Sequence, residues 1–115
     1  MRSGINFEQG EIVLVPFPFT NLSTSKKRPV LVLSKTSYNK KSSDFVCCGI
    51  ISNIRNVHHS VSLQNKDLVD GILPKPSRIK TSTIFTLEKS IVIRRLGKIR
   101  ENVMEKVRKE ILELF

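Results

Sequence analysis

The sequence predicts a mostly β fold, a small and strongly curved sheet or barrel covered at one side by a C-terminal amphipathic helix. Three observations carry this. Short β-branched or leucine-rich runs recur up to Leu96, Gly, Pro, Ser and Thr punctuate them, and the apolar period becomes helical only after Arg100. Ile12 to Val15 and Val30 to Leu33 read as strands buried on both faces, because neither run alternates with polar residues. Between them lies P-F-P-F-T-N-L-S-T-S-K-K-R-P, a long connection for so small a chain, in which Pro16 and Pro18 are expected to stop ladder pairing. That loop is expected to end in the cations Lys26, Lys27 and Arg28 beside a groove.

Phe45 to Ile51 is a further apolar run, and Ser60 to Leu63 alternates as a half-buried strand does. Asp70-Gly71 reads as a turn. Ser77 to Lys80 reads as a brief strand, and Thr83 to Thr86 and Ser90 to Leu96 as further strands, the last broken by Gly97. From Glu101 onward Val103, Val107, Ile111 and Leu114 fall on one helical face, with Glu, Lys and Arg opposite. No Ser, Thr, Asp or Asn stands at the N-cap position near Arg100.

At 115 residues the chain has the commonest size of one domain, so a single domain over 1–115 is expected. The longest apolar runs are far shorter than the ~20 residues of a membrane span, and MRSGINFEQG has no secretory pattern. A cytoplasmic location is expected. Cys47 and Cys48 are adjacent in an apolar stretch and read as reduced, buried thiols; with two histidines they make no metal-ligand pattern, so no metal and no cofactor is expected. Lys and Arg number 20 against 10 acids, a net charge of +10. The segment from Arg100 is balanced, with Arg100, Lys106, Arg108 and Lys109 against Glu101, Glu105, Glu110 and Glu113, so the whole excess lies before it. Basic side chains cluster at Lys26, Lys27 and Arg28; at Lys35, Lys40 and Lys41; at Lys75, Arg78 and Lys80; and at Arg94 and Arg95. Four such clusters favour a polyanionic partner, nucleic acid first.

Five blocks in order carry a resemblance. They are G-E-I-V-L-V-P-F-P-F-T (Gly10 to Thr20), K-K-R-P-V-L-V-L-S (Lys26 to Ser34), C-G-I-I-S-N-I (Cys48 to Ile54), S-R-I-K (Ser77 to Lys80) and I-V-I-R-R-L-G-K-I (Ile91 to Ile99). Together they resemble the MazF/PemK toxins of type II toxin–antitoxin systems over nearly the whole chain. The resemblance implies an SH3-like barrel with a C-terminal helix, a homodimer, and a metal-independent, sequence-selective endoribonuclease acting on single-stranded RNA. It also implies a cognate antitoxin whose acidic, disordered segment wraps the basic face.

Metal-free RNA cleavage needs a group to take the 2′-OH proton, one to stabilise charge on the crowded phosphate and one to protonate the leaving 5′ oxygen. The products are a 2′,3′-cyclic phosphate and a 5′-OH. The resemblance makes Arg28, in the K-R-P block, the catalytic residue for phosphate stabilisation, and its planar fork suits that role. Many members carry a threonine where Ile51 stands; Ser52 follows, and is expected to supply the catalytic hydroxyl if a bulge or turn offsets the change of face. Arg78 matches a basic position of PemK-type members, while Lys80 occupies the place of an acid and is expected to bind phosphate. Phe17, Thr20, Lys26, Lys27, Asn53, Arg78 and Lys80 are the expected RNA-binding residues. Of Phe17 and Phe19, one is expected in the core and one exposed for base stacking. His58 and His59 read as loop histidines. Ile51 and Lys80 also admit a second reading, an SH3-like module that binds nucleic acid or blocks a protein target without cleavage.

Overall fold

A computed structural model of the chain describes residues 5–17, 26–52, 55 and 57–115. Among the described residues seven strands form one antiparallel sheet: β1 (Glu11–Phe17), β2 (Lys26–Val32), β3 (Asp44–Ile51), β4 (Ser60–Leu63), β5 (Leu68–Gly71), β6 (Ser77–Glu88) and β7 (Arg94–Ile99). Their order across the sheet is β4-β6-β3-β2-β1-β7-β5. The described residues also form the α-helices α1 (Thr36–Lys41) and α2 (Glu101–Leu112).

The central strands are buried on both faces, which explains their unbroken apolar runs. On the helix-side face, Ile12, Leu31, Cys48 and Ile50 pack with Val103, Met104 and Val107 of α2. On the other face, Val13, Val15, Val30, Val32, Phe45 and Cys47 pack beneath Ile5 and Phe7. Cys47 and Cys48, adjacent in sequence, therefore point into different halves of the core. As expected from the sequence, α2 starts after Arg100 without a side-chain cap, and Glu101 lies in its first turn. Leu114 falls beyond the helix end.

Several elements differ from expectation, each for a physical reason. β1 runs through Pro16 to Phe17, which pair with Lys27 and Lys26, so these cations begin a strand rather than end a loop. The last β1–β7 pair is Leu14–Arg94, so Pro16 lies where β1 is bordered by β2 alone and a missing N–H is tolerated. Ser77 to Glu88 is one strand, β6; its register against β3 jumps between the pairs Cys48–Ile84 and Gly49–Lys80, and this bulge bends it. The backbone N–H and the hydroxyl of Thr81 both donate to the His59 carbonyl at the bend (2.9 and 2.6 Å).

Asp70-Gly71 is not a turn but the end of β5, and Gly97 does not break β7 but pairs with Gly71 and Ile12. A Cβ on Gly71 would lie 2.1 Å from the Leu96 carbonyl oxygen, and one on Gly97 2.6 Å from that of Asp70. The two glycines thus let the backbones meet where side chains would part them. Ser90 to Leu96 splits into a 3-10 turn at Lys89–Ile91 and the start of β7. Helix α1 had no signal, because its one buried residue is Asn39. That side chain donates to the carbonyls of Phe7 (2.5 Å) and Ser34 (3.0 Å) and accepts from the Ser34 hydroxyl (2.6 Å), which fixes the N-terminal segment against the sheet.

Glu11 is fully buried yet ionic. Its carboxylate accepts from Arg95 Nε at 2.5 Å and from the Glu8 backbone N–H at 2.8 Å, while Arg95 forks onto the two oxygens of Asp70 (2.6 and 3.2 Å). The fork from Arg95 holds the Asp70 carboxyl below its ordinary value, and the same bond raises the guanidinium further. β1, β7 and β5 are thereby joined by one chain of charges. Replacing Glu11 by Ala is expected to cost about 3 kcal/mol, the cost of stripping a buried pair of one partner. Asp70→Asn, on the solvent side, is expected to cost at most about 1 kcal/mol, both read from urea unfolding. Because the folded pKa of Asp70 is depressed, its contribution is complete above the ordinary carboxylate value and fades as pH falls below it.

Candidate functional site

The first cationic cluster lies at the margin of the sheet where β1 and β3 end and β2 begins. Lys26, Lys27 and Arg28 are exposed on β2, and the ladder to β3 begins only after Pro29, at Val30–Gly49. Alternation sends Lys27 and Pro29 toward the helix-side face and Arg28 toward the opposite one, yet Arg28 stands between two cavities and lines both. The inner cavity, about 570 Å³, opens on the helix-side face; Lys27, Arg28 and Ser52 border it on one side and Lys75 and Arg94 on another. The outer cavity, about 330 Å³, is bordered by Phe17, Arg28, Ile51, Lys80 and Phe85.

Ser52 follows the last residue of β3 and keeps its alternation, so it opens into the inner cavity with Ile50 while Ile51 opens into the outer one. No bulge reverses the one-residue offset. What unites them is the reach of Arg28, which borders the Ser52 hydroxyl side and the Ile51 side alike. Phe17 is 46% exposed. Its companion Phe19, like Thr20 and Asn53, lies outside the described residues. Lys26 pairs with Phe17 but borders neither cavity.

Arg78 is drawn elsewhere. Its Nε donates to the Ser60 hydroxyl at 2.8 Å across the β4–β6 ladder, and it borders neither cavity. His58 and His59 sit before β4, away from Arg28; His59 Nδ1 lies 3.7 Å from Glu110 of α2. Reading the sequence missed a distinction between Arg94 and Arg95, which it grouped together. Arg95 is consumed by Glu11 and Asp70, whereas Arg94 and, across the opening, Lys75 face the inner cavity. Strand alternation in I-R-R-L was the signal that separates them.

The connection from β5 to β6 carries Ile72, Leu73, Pro74 and Lys75 over the end of the sheet and forms the far wall of the inner cavity. Leu73 anchors it in the core, and its N–H donates to Asn65 Oδ1 at 2.7 Å. Ile72 N–H donates to the Leu96 carbonyl, and the Ser77 hydroxyl to that of Lys75. Among the described residues no three His, Cys, Asp or Glu side chains come together as a metal site. No helix among them is long and apolar enough to cross a membrane.

The family model for PemK-like, MazF-like toxins of type II toxin–antitoxin systems matches residues 8–115. The chain belongs to this family. Solved structures share its fold. An endoribonuclease in complex with its cognate antitoxin, from a mycobacterial species, superposes with a TM-score of 0.75 at 18% identity, covering 92% of this chain and 91% of that one. The Mycobacterium tuberculosis toxin MazF-mt6 gives 0.72 at 19%, over 90% and 93%. MazF in a MazE–MazF complex from Deinococcus radiodurans gives 0.73 at 23%, over 93% of each chain. No curated protein sequence matches the chain. At these identities the structural likeness establishes the curled sheet with its C-terminal helix, and the family model establishes membership.

The two cysteines are free and buried, as the sequence indicated. Burial pushes the Cys48 thiol up to about 12 and raises that of Cys47 as well, so neither forms thiolate near neutral pH. In the folded protein at pH 8, an aromatic disulfide reagent is expected to titrate neither thiol, and both after addition of denaturant.

Proposed function

We propose that the chain is a toxin acting as a metal-independent, sequence-selective endoribonuclease on single-stranded RNA, centred on Arg28. The carrying observation is the position of that guanidinium. It is exposed at the joint of two cavities, next to Lys27 in the chain and lining the same cavity as Ser52, and among the described residues no carboxylate lies within ion-pair distance of it. An arginine so disposed can fork onto two oxygens of one phosphate.

In the proposed reaction the 2′ oxygen attacks phosphorus as its proton passes to solvent. Arg28 stabilises the doubly charged crowded phosphate, and the Ser52 hydroxyl donates a hydrogen bond to the departing 5′ oxygen. The P–O5′ bond breaks, leaving a 2′,3′-cyclic phosphate and, after protonation, a 5′-OH. Lys27 from the inner side and Lys80 from the outer side hold neighbouring phosphates, with Phe17 offering a ring face to a base. Thr20 and Asn53 are proposed as further RNA contacts, and Lys26 and Arg78, which border neither cavity, as contacts outside the two. The protein acts in the cytoplasm as a single-domain homodimer, and an antitoxin segment carrying acidic groups silences it by occupying the ground that RNA would take.

One observation favours the second reading, a binding module that does not cut. Ile51 brings a hydrocarbon to the outer cavity where many members have a hydroxyl, and Ser52 opens on the opposite face. Metal-stripped protein incubated with mixed-sequence RNA separates the two. Cleavage with cyclic-phosphate ends is expected, reduced about 10²- to 10³-fold by Arg28→Ala, the scale of losing one preorganised charge stabiliser. Ser52→Ala is expected to reduce kcat with KM little changed. RNA that binds yet stays intact under these conditions supports the binding module instead.

A further inference from the structure

We infer that the inner cavity seats the nucleotide next to the cleaved phosphate, its base against Ile72, Pro74 and Leu96 and its outer phosphate between Lys75 and Arg94. The inference rests on the ribonuclease reading of Arg28 and extends it to residues outside the expected RNA-binding set.

Charge is the first argument. Lys27 and Arg28 line one side of the cavity and Lys75 and Arg94 another, and among the described residues none of the four has a carboxylate within ion-pair distance. The neighbouring Arg95 shows the alternative, since it is neutralised by Glu11 and Asp70. Four like charges around one concavity of about 570 Å³ focus a positive field into it, which an anion relieves. Lys106 and Lys109 of α2, by contrast, share their surface with Glu110 and Glu113.

Surface chemistry is the second. Between the cations the wall is hydrocarbon, and Ile72 stands 75% exposed at its lip. An apolar floor rimmed by cations matches a nucleotide, whose base is flat and weakly polar while its phosphates are charged. The volume lies within the range of small-ligand sites, about 300–1,000 Å³. The third is rigidity. The wall is held by Leu73 in the core, by the Asn65 bond and by the Ile72–Leu96 backbone bond, so little ordering is needed on binding. Lys75 and Arg94 act on binding rather than on the reacting atoms.

The test measures binding and cutting separately. Binding uses a mixed-sequence 2′-O-methyl RNA, which offers no 2′-OH to attack, titrated at several salt concentrations against the full chain and its variants. Lys75→Ala and Arg94→Ala are each expected to weaken binding and to shallow the log–log salt slope by about 0.7, the value for one phosphate contact on a single strand. Lys106→Ala is expected to change neither. On ordinary RNA the same two variants raise KM with kcat unchanged, unlike Arg28→Ala. With the cut mapped, an abasic nucleotide beside it weakens wild-type binding about tenfold, the scale of one base contact, and weakens Ile72→Ala less. All four positions are exposed, and circular dichroism checks that each variant is folded. Salt slopes unchanged in both Lys75→Ala and Arg94→Ala, in a protein that cuts RNA, overturn this inference and leave the ribonuclease reading intact. A protein that cuts nothing but loses slope with Lys75 and Arg94 overturns the ribonuclease reading and leaves the nucleotide seat.

Discussion

The buried carboxylate of Glu11 is the constraint on which the rest of the architecture depends. A carboxylate with no access to water must be matched by charge and by hydrogen bonds, and Arg95 of β7 and the Glu8 N–H supply both. Arg95 then has a second fork of N–H groups to satisfy, and Asp70 of β5 takes it. Three strands are thereby set in order from one residue outward. Gly10, at φ +95°, makes the turn that brings Glu8 back to Glu11, so the G-E-I block is a turn followed by an anchor. With β5 fixed beside β7, the short connection to β6 has to cross the end of the sheet, and that crossing creates the inner cavity opposite Lys27 and Arg28.

Charge on this protein is therefore sorted by whether the fold uses it. Arg95, Lys98 and Arg108 are spent on Glu11, Glu8, Glu101 and Glu105, and they stabilise the curl and the seat of α2. Lys27, Arg28, Lys75 and Arg94 are left facing cavities. A net charge of +10 on so small a body is costly to compaction and favourable for meeting a polyanion. These four gather at one margin of the sheet, where β1 and β3 end and β2 begins.

Much of this was legible in the residues, and the exceptions have definite causes. β1, β2, β3, β4 and α2 were visible because their apolar period reports burial directly. Helix α1 was not, since the residue it buries is Asn39, and a buried amide gives no hydrophobic pattern. β5 was hidden because Asp70-Gly71 carries turn chemistry, while its true role comes from a close pairing with Gly97 distant in sequence. The extent of β6 was obscured by a bulge that interrupts alternation. At the candidate site, Arg28 and Ser52 could be named from the chain, but their shared cavity could not. Lys75 and Arg94 meet only through the fold, and Arg78 turned to Ser60 because β4 pairs beside it.

The paired glycines of β5 and β7 carry one more consequence, which concerns how such a surface can be retuned. Gly71 and Gly97 let β5 lie close against β7, and Leu73, Asn65 and the Ile72–Leu96 backbone bond hold the wall that follows, so the wall's outward side chains do not set its position. Ile72, Pro74 and Lys75 are exposed and anchor nothing themselves, since Leu73 between them does that work. Exchange at those three places changes the lining of the cavity at small folding cost, whereas a side chain at either glycine would meet the backbone of the neighbouring strand. The fold thus separates a fixed hinge from an exposed lining.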